Sequence, residues 1–121
     1  MYKEYNPNPC GKSVGDCVIR AITKILDKPW REVYTGLALE GLKLCDMPSS
    51  NTVWAHYLVD RGYLPYTADF ETVEAFARTH PKGKYILATG THAIALEDGD
   101  IYDAWNSLGE AVSYYFKEEQ R

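Results

Sequence analysis

The spacing of apolar residues changes at Pro81. Ahead of it they recur every three or four positions; behind it they gather in short alternating runs rich in isoleucine, tyrosine and leucine. One element cannot satisfy both periods, so the boundary predicts an α+β chain, with N-terminal helices packed on a C-terminal antiparallel β-sheet. Asp16 is placed to cap a first helix whose face carries Val18, Ala21, Ile22, Ile25 and Leu26. The break at Asp27-Lys28-Pro29 ends it, and Pro29 suits the first position of a second helix bearing Trp30, Val33, Tyr34 and Leu37. Ser50 caps a third, through Val53, Trp54, Tyr57 and Leu58, closed by Gly62. Asp69 caps a fourth, residues 70–79. "YLPYT" (63–67) reads as an edge strand, because its proline lacks a ladder donor. "KYILAT", "HAIAL", "DIYDAW" and "AVSYYF" read as strands, and the Asp98-Gly99 pair between the second and third of these is a strong hairpin signal. The first thirteen residues, with "NPNPCG", read as turns.

The length of 121 residues sets a single domain over 1–121 as the expectation. Hydrophobic residues at 45% and charged residues at 25% exclude a disordered chain and a membrane span. A net charge of −4 without a lysine or arginine run argues against a nucleic-acid partner. The first residues hold no apolar signal core, and three unevenly spaced cysteines make no disulfide framework. A cytoplasmic protein is expected. No cysteine–histidine spacing suits zinc, so neither metal nor cofactor is predicted.

Cys17 stands at the predicted start of the first helix, behind Gly15 and Asp16. Free cysteine is often a small buried hydrophobe, but a helix N-terminus also favours the nucleophilic thiolate. The adjacent Asp16 carboxylate opposes that ionisation unless capping engages it. Of the three histidines, His56 falls within the third helix and His80 in a turn before Pro81, expected to be solvated. His92 opens a strand after "TGT", positioned to reach out of the sheet. A two-residue turn at Asp98-Gly99 sets Glu97 opposite Asp100, hence Ile94 opposite Asp103 and His92 opposite Trp105. Side-chain alternation then gives His92, Asp103 and Trp105 one face, with Asp103 able to orient the imidazole. A three-residue turn would offer Asn106 instead.

A cysteine opening the first long helix, a later histidine starting a strand, and Asp two residues before Trp on the next strand resemble the papain-like cysteine peptidase superfamily. "GDC" with "RAI" early, and "THAIALEDGDIYDAW" late, are similar to small uncharacterised papain-like proteins of phages and Gram-positive bacteria. The resemblance implies a papain-like fold, Cys17 as nucleophile, His92 as base and Asp103 as orienter, with Trp105 shielding the His–Asp pair. The family's oxyanion glutamine ahead of the cysteine is missing, since the one glutamine is Gln120. Asn8, or else Asn6, is the side-chain amide left for that role, alongside the Cys17 N–H. Gly15, Asp16 and Trp105 are expected to border the substrate cleft.

Two functions follow from this resemblance. One is a cysteine hydrolase or acyl transferase acting on a peptide, isopeptide or other amide bond of a protein or peptide substrate. The other is a catalytically inactive module of phage type that docks on a host protein or sequesters a ligand, acting in the host cytoplasm if phage-encoded. Neither reading involves a membrane.

Overall fold

The computed structural model describes residues 1–119. The elements run β1 (Tyr2–Glu4), α1 (Cys17–Leu26), α2 (Trp30–Leu44), α3 (Asn51–Val59), β2 (Tyr63–Thr67), α4 (Val73–Thr79), β3 (Lys84–Ala88), β4 (Ala93–Glu97), β5 (Asp100–Asp103) and β6 (Tyr114–Glu118). Among the described residues, four helices and a six-stranded sheet make an α+β architecture, with strand order β1-β5-β4-β3-β6-β2. No helix among the described residues is long and apolar enough to cross a membrane.

The sheet is mixed rather than antiparallel throughout. Its N-terminal strand, read from sequence as turn, runs parallel to β5, with Tyr2 beside Ile101 and Glu4 beside Asp103. Three residues are too few to show a period, and β1 is extended because β5 offers it an edge. β2 forms the opposite edge, as Pro65 requires, paired to β6 alone.

The central strands are buried on both faces, which explains their nearly continuous apolar runs. On one face Ile86, Ala88, Ala93 and Ala95 meet Ala21, Ile22 and Ile25 of α1, with Leu37, Trp54 and Phe116 completing the layer. The small side chains of Ala88, Ala93 and Ala95 let α1 lie close on the sheet. Burying Ile22 and Ile25 there contributes about 1.5–3 kcal/mol each. On the other face Leu87, Ile94, Leu96 and Ile101 pack against Val73, Phe76 and Ala77 of α4, with Val112. The fourth helix therefore does not join the first three.

Helix starts differ from expectation twice. α4 begins at Val73, capped by Thr72, whose hydroxyl accepts the Ala75 N–H at 3.1 Å. Asp69 is displaced from that role because Phe70, at φ 58°, donates its N–H to the Val112 carbonyl and keeps residues 70–72 along the 110–113 segment. Pro29 occupies the N-cap of α2 rather than its first turn. Ser50 caps α3, accepting the Thr52 N–H at 3.2 Å.

Candidate active site

The hairpin between β4 and β5 sets the geometry. Asp98 and Gly99 lie at φ 51° and 84°, both left-handed, as a two-residue turn with matching twist requires. The register is Glu97 with Asp100, Leu96 with Ile101 and Ala95 with Tyr102. Asp103 is thereby brought to His92, and the His92 Nε2 to Asp103 Oδ2 distance is 2.7 Å. Asn106 stays outside: its side-chain oxygen accepts the Leu108 N–H in an exposed loop. The ladder stops short of pairing His92 with Trp105. β5 ends at Asp103, and Ala104 and Trp105 bend away so that the indole stacks on the imidazole instead, centroids 4.3 Å apart at 24°.

Asp103 is 1% exposed and is surrounded by donors. Oδ2 also accepts the Ser107 hydroxyl at 2.6 Å, and Oδ1 accepts the Ala104 N–H at 2.7 Å and Arg20 Nη2 at 3.1 Å. Ser107 and Arg20 were not legible as site residues. Arg20 lies four positions after Asp16, a helix ion-pair spacing that was open to reading; nothing in the sequence marks Ser107.

Arg20 also binds Asp16. Asp16 occupies the N-cap position of α1 without capping it. Its Oδ1 accepts from Arg20 Nη1 and its Oδ2 from the Trp30 indole N–H at 2.9 Å, so both oxygens face away from the helix end. The expected cap is thus a buried ion pair. No described residue accepts the backbone N–H of Cys17, Val18 or Ile19.

Those N–H groups belong to residues that line a cavity of about 270 Å³. Cys17 and His92 share its wall with Gly15, Asp16, Trp54 and Tyr114. With His92 Nε2 held by Asp103, Nδ1 is the ring nitrogen left for the thiol. Burial pushes the Cys17 thiol up, but the hydrogen bond with His92, the Ala93 backbone and the charges of His92 and Arg20 outweigh it and bring it below its ordinary value. Burial alone would depress His92; its hydrogen bonds to Asp103 and Cys17 and their negative charges lift it to about 9. Burial raises the Asp103 carboxyl, yet the bonds from His92 and Ser107 hold it below the usual carboxylate range. All three directions favour a thiolate–imidazolium pair beside an ionised Asp103.

Other expected residues lie elsewhere. Neither Asn8 nor Asn6 lines the cavity. Asn8 Oδ1 accepts the Cys10 and Lys12 N–H groups, and the Asn6 amide donates to the Lys12 carbonyl, so both build their own loop. Trp105 is also outside the cavity wall; it covers the imidazole and is half exposed. Cys10 and Cys45 are exposed, and no disulfide joins any of the three cysteines. His56 is exposed on α3. His80, expected to be solvated, is half-buried: its ring stacks on Phe76 at 3.9 Å, with Nδ1 2.9 Å from the Phe76 carbonyl. Several cavity residues escaped sequence reading, among them Asn51, whose side-chain oxygen accepts the Trp54 indole N–H at 2.9 Å. No protein family, curated protein or solved structure matches the chain.

Proposed function

We propose that the chain is a papain-like cysteine hydrolase or acyl transferase acting on a peptide, isopeptide or other amide bond. The observation that carries this reading is the 2.7 Å His92–Asp103 bond on one side of an imidazole whose other side meets a thiol held below its ordinary pKa. The Cys17 thiolate attacks the carbonyl carbon, and its electron pair forms the C–S bond while the carbonyl oxygen takes the negative charge. The Cys17 N–H, left uncapped at the helix start, donates to that oxygen. His92 then gives its Nδ1 proton to the leaving nitrogen as the C–N bond breaks, and an amine departs. Neutral His92 next takes a proton from water, or from an acceptor amine in transfer, which attacks the thioester. The acyl product leaves, and the thiolate–imidazolium pair is restored. Asp103 keeps Nε2–H engaged throughout, so Nδ1 carries all the proton traffic. The nucleophile must be reduced to act, which accords with a reducing cytoplasm.

Alkylation of the intact protein by iodoacetamide over a pH series, with each cysteine followed by mass spectrometry, tests this directly. Cys17 reacts with an ionisation well below the free-thiol value of about 8.5, while Cys10 and Cys45 serve as internal references. His92→Ala moves Cys17 up to the references, and Cys17→Ala removes all acyl transfer from any amide substrate found. A Cys17 that titrates with Cys10 in the unaltered protein leaves the inactive binding module as the better reading.

A further inference from the structure

Arg20 is 4% exposed, and its guanidinium joins two carboxylates that are 87 positions apart in the chain. Nη1 meets Asp16 and Nη2 meets Asp103. We propose that Arg20 is a positioning residue serving both ends of the site: it holds Asp103 in line behind His92, and it holds the Asp16 carboxylate off the start of α1, so that the N–H groups of Cys17, Val18 and Ile19 stay open to the cavity. The inference rests on the hydrolase reading and adds to it the group that arranges its parts.

The second half follows from what an N-cap aspartate ordinarily does. Its carboxylate accepts the N–H of the second or third helical residue, here Val18 or Ile19, and so sets a negative charge on the helix end beside the Cys17 N–H that the oxyanion needs. Asp16 makes no such bond, because Arg20 and Trp30 occupy both of its oxygens. Without the guanidinium, Oδ1 loses its partner, and the carboxylate, then tethered by the Trp30 indole alone, can turn Oδ1 onto the helix end beside the nucleophile. Its charge then opposes the developing oxyanion and repels the thiolate.

The first half follows from charge and shape. Facing Arg20 and Asp103 are Asp16 at the N-cap of α1, His92 ahead of β4 and Tyr2 on β1, with the Trp105 ring centroid 5.7 Å from the guanidinium carbon. Asp16, Arg20, Asp103 and imidazolium sum to zero, so the thiolate adds the only net charge. Removing Arg20 leaves an extra negative charge in a buried space. A lysine supplies the charge as a single point and lacks the rigid fork that meets two carboxylates at once.

The experiment is the pH series of Cys17 alkylation on Arg20→Met, Arg20→Lys and the Asp16→Ala/Arg20→Met double variant, each also checked for its thermal unfolding. Arg20→Met moves Cys17 ionisation upward by about one pH unit, and the double variant moves it most of the way back, because the competing carboxylate has gone and the charge balance is restored. A melting temperature that falls while the alkylation profile stays on that of the unaltered protein shows a merely structural arginine and overturns the proposal. So does a double variant that titrates with Arg20→Met. If Arg20→Met fails to fold, Arg20→Lys carries the test: its profile shifts up by about half a unit, and an unshifted profile overturns the proposal. An unaltered Cys17 with ordinary ionisation instead removes the hydrolase reading, whichever way Arg20 behaves.

Discussion

Three helices of this chain begin with a polar residue suited to capping, and they use it in two ways. At α3 and α4 the hydroxyls of Ser50 and Thr72 turn back onto their own first-turn N–H groups, at 3.2 and 3.1 Å. At α1 an aspartate, as strong a capping residue as any, turns away to an arginine and an indole. The first two arrangements complete a helix; the third leaves three donors open where a cysteine lies. A local rule is followed where only stability is at stake and broken where chemistry is proposed, which is where such departures are expected to gather.

The largest way to break the contrast is to remove the residue on which the α1 network converges. Asp103→Ala strands donors from His92, Arg20 and Ser107, so urea unfolding shows a loss of about 3–5 kcal/mol. Under the hydrolase reading the rate falls about a hundredfold or more, whereas Asp103→Asn, which still accepts the imidazole N–H, keeps more of it. Asn106→Ala changes neither measurement. Next comes Asp16→Ala, which unpairs Arg20 on one side. It costs about 2–3 kcal/mol in urea, from the stranded donors, with Cys17 still open to alkylation below the exposed thiols.

The pH dependence sharpens the same contrast. His92 is raised to about 9, so the stability it contributes is whole below its unfolded value near 6.5 and disappears as pH climbs through about 9. Asp103 is lowered, so its contribution is present above its unfolded value near 3.9 and is lost as pH falls through the depressed one. Thermal unfolding across pH therefore gives a plateau, and His92→Gln flattens its alkaline limb. The smallest effects belong to the ordinary caps. Ser50→Ala and Thr72→Ala each cost about 1 kcal/mol by denaturant and leave the Cys17 alkylation profile unmoved.

Much of the arrangement was written locally in the sequence. The Asp98-Gly99 turn gave the register, the register gave the meeting of His92 with Asp103, and the helical spacing gave α1 beneath Cys17. What escaped depends partly on partners distant in the chain and partly on the paths of loops. Asp16 read as a cap because, although Arg20 stands one helical turn on, nothing nearby shows that Trp30 and, through Arg20, Asp103 complete a buried network. Asn6 and Asn8 read as donors towards the site, yet asparagines among prolines turn onto their own backbone first. β1 exists by virtue of its neighbour, and α4 starts late because the 110–113 segment holds the residues before it. Ser107 completes Asp103 through a loop whose path no pattern specifies.

The turn at Asp98 and Gly99 carries a further consequence for how the chain can vary. Surface loops usually drift in length from one relative to the next, since their ends are tied to elements whose side chains are already placed. Here the turn itself does the placing. Its length determines whether residue 103 or a neighbour reaches His92, because one added residue exchanges the two faces of β5. That turn is held from a third side as well, with the Asp98 carboxylate accepting the Gly83 N–H at 2.9 Å and the Asp98 N–H donating to the Gly83 carbonyl. Under the hydrolase reading a solvent-facing corner is thus tied to the site it places, and a residue inserted there should part His92 from Asp103.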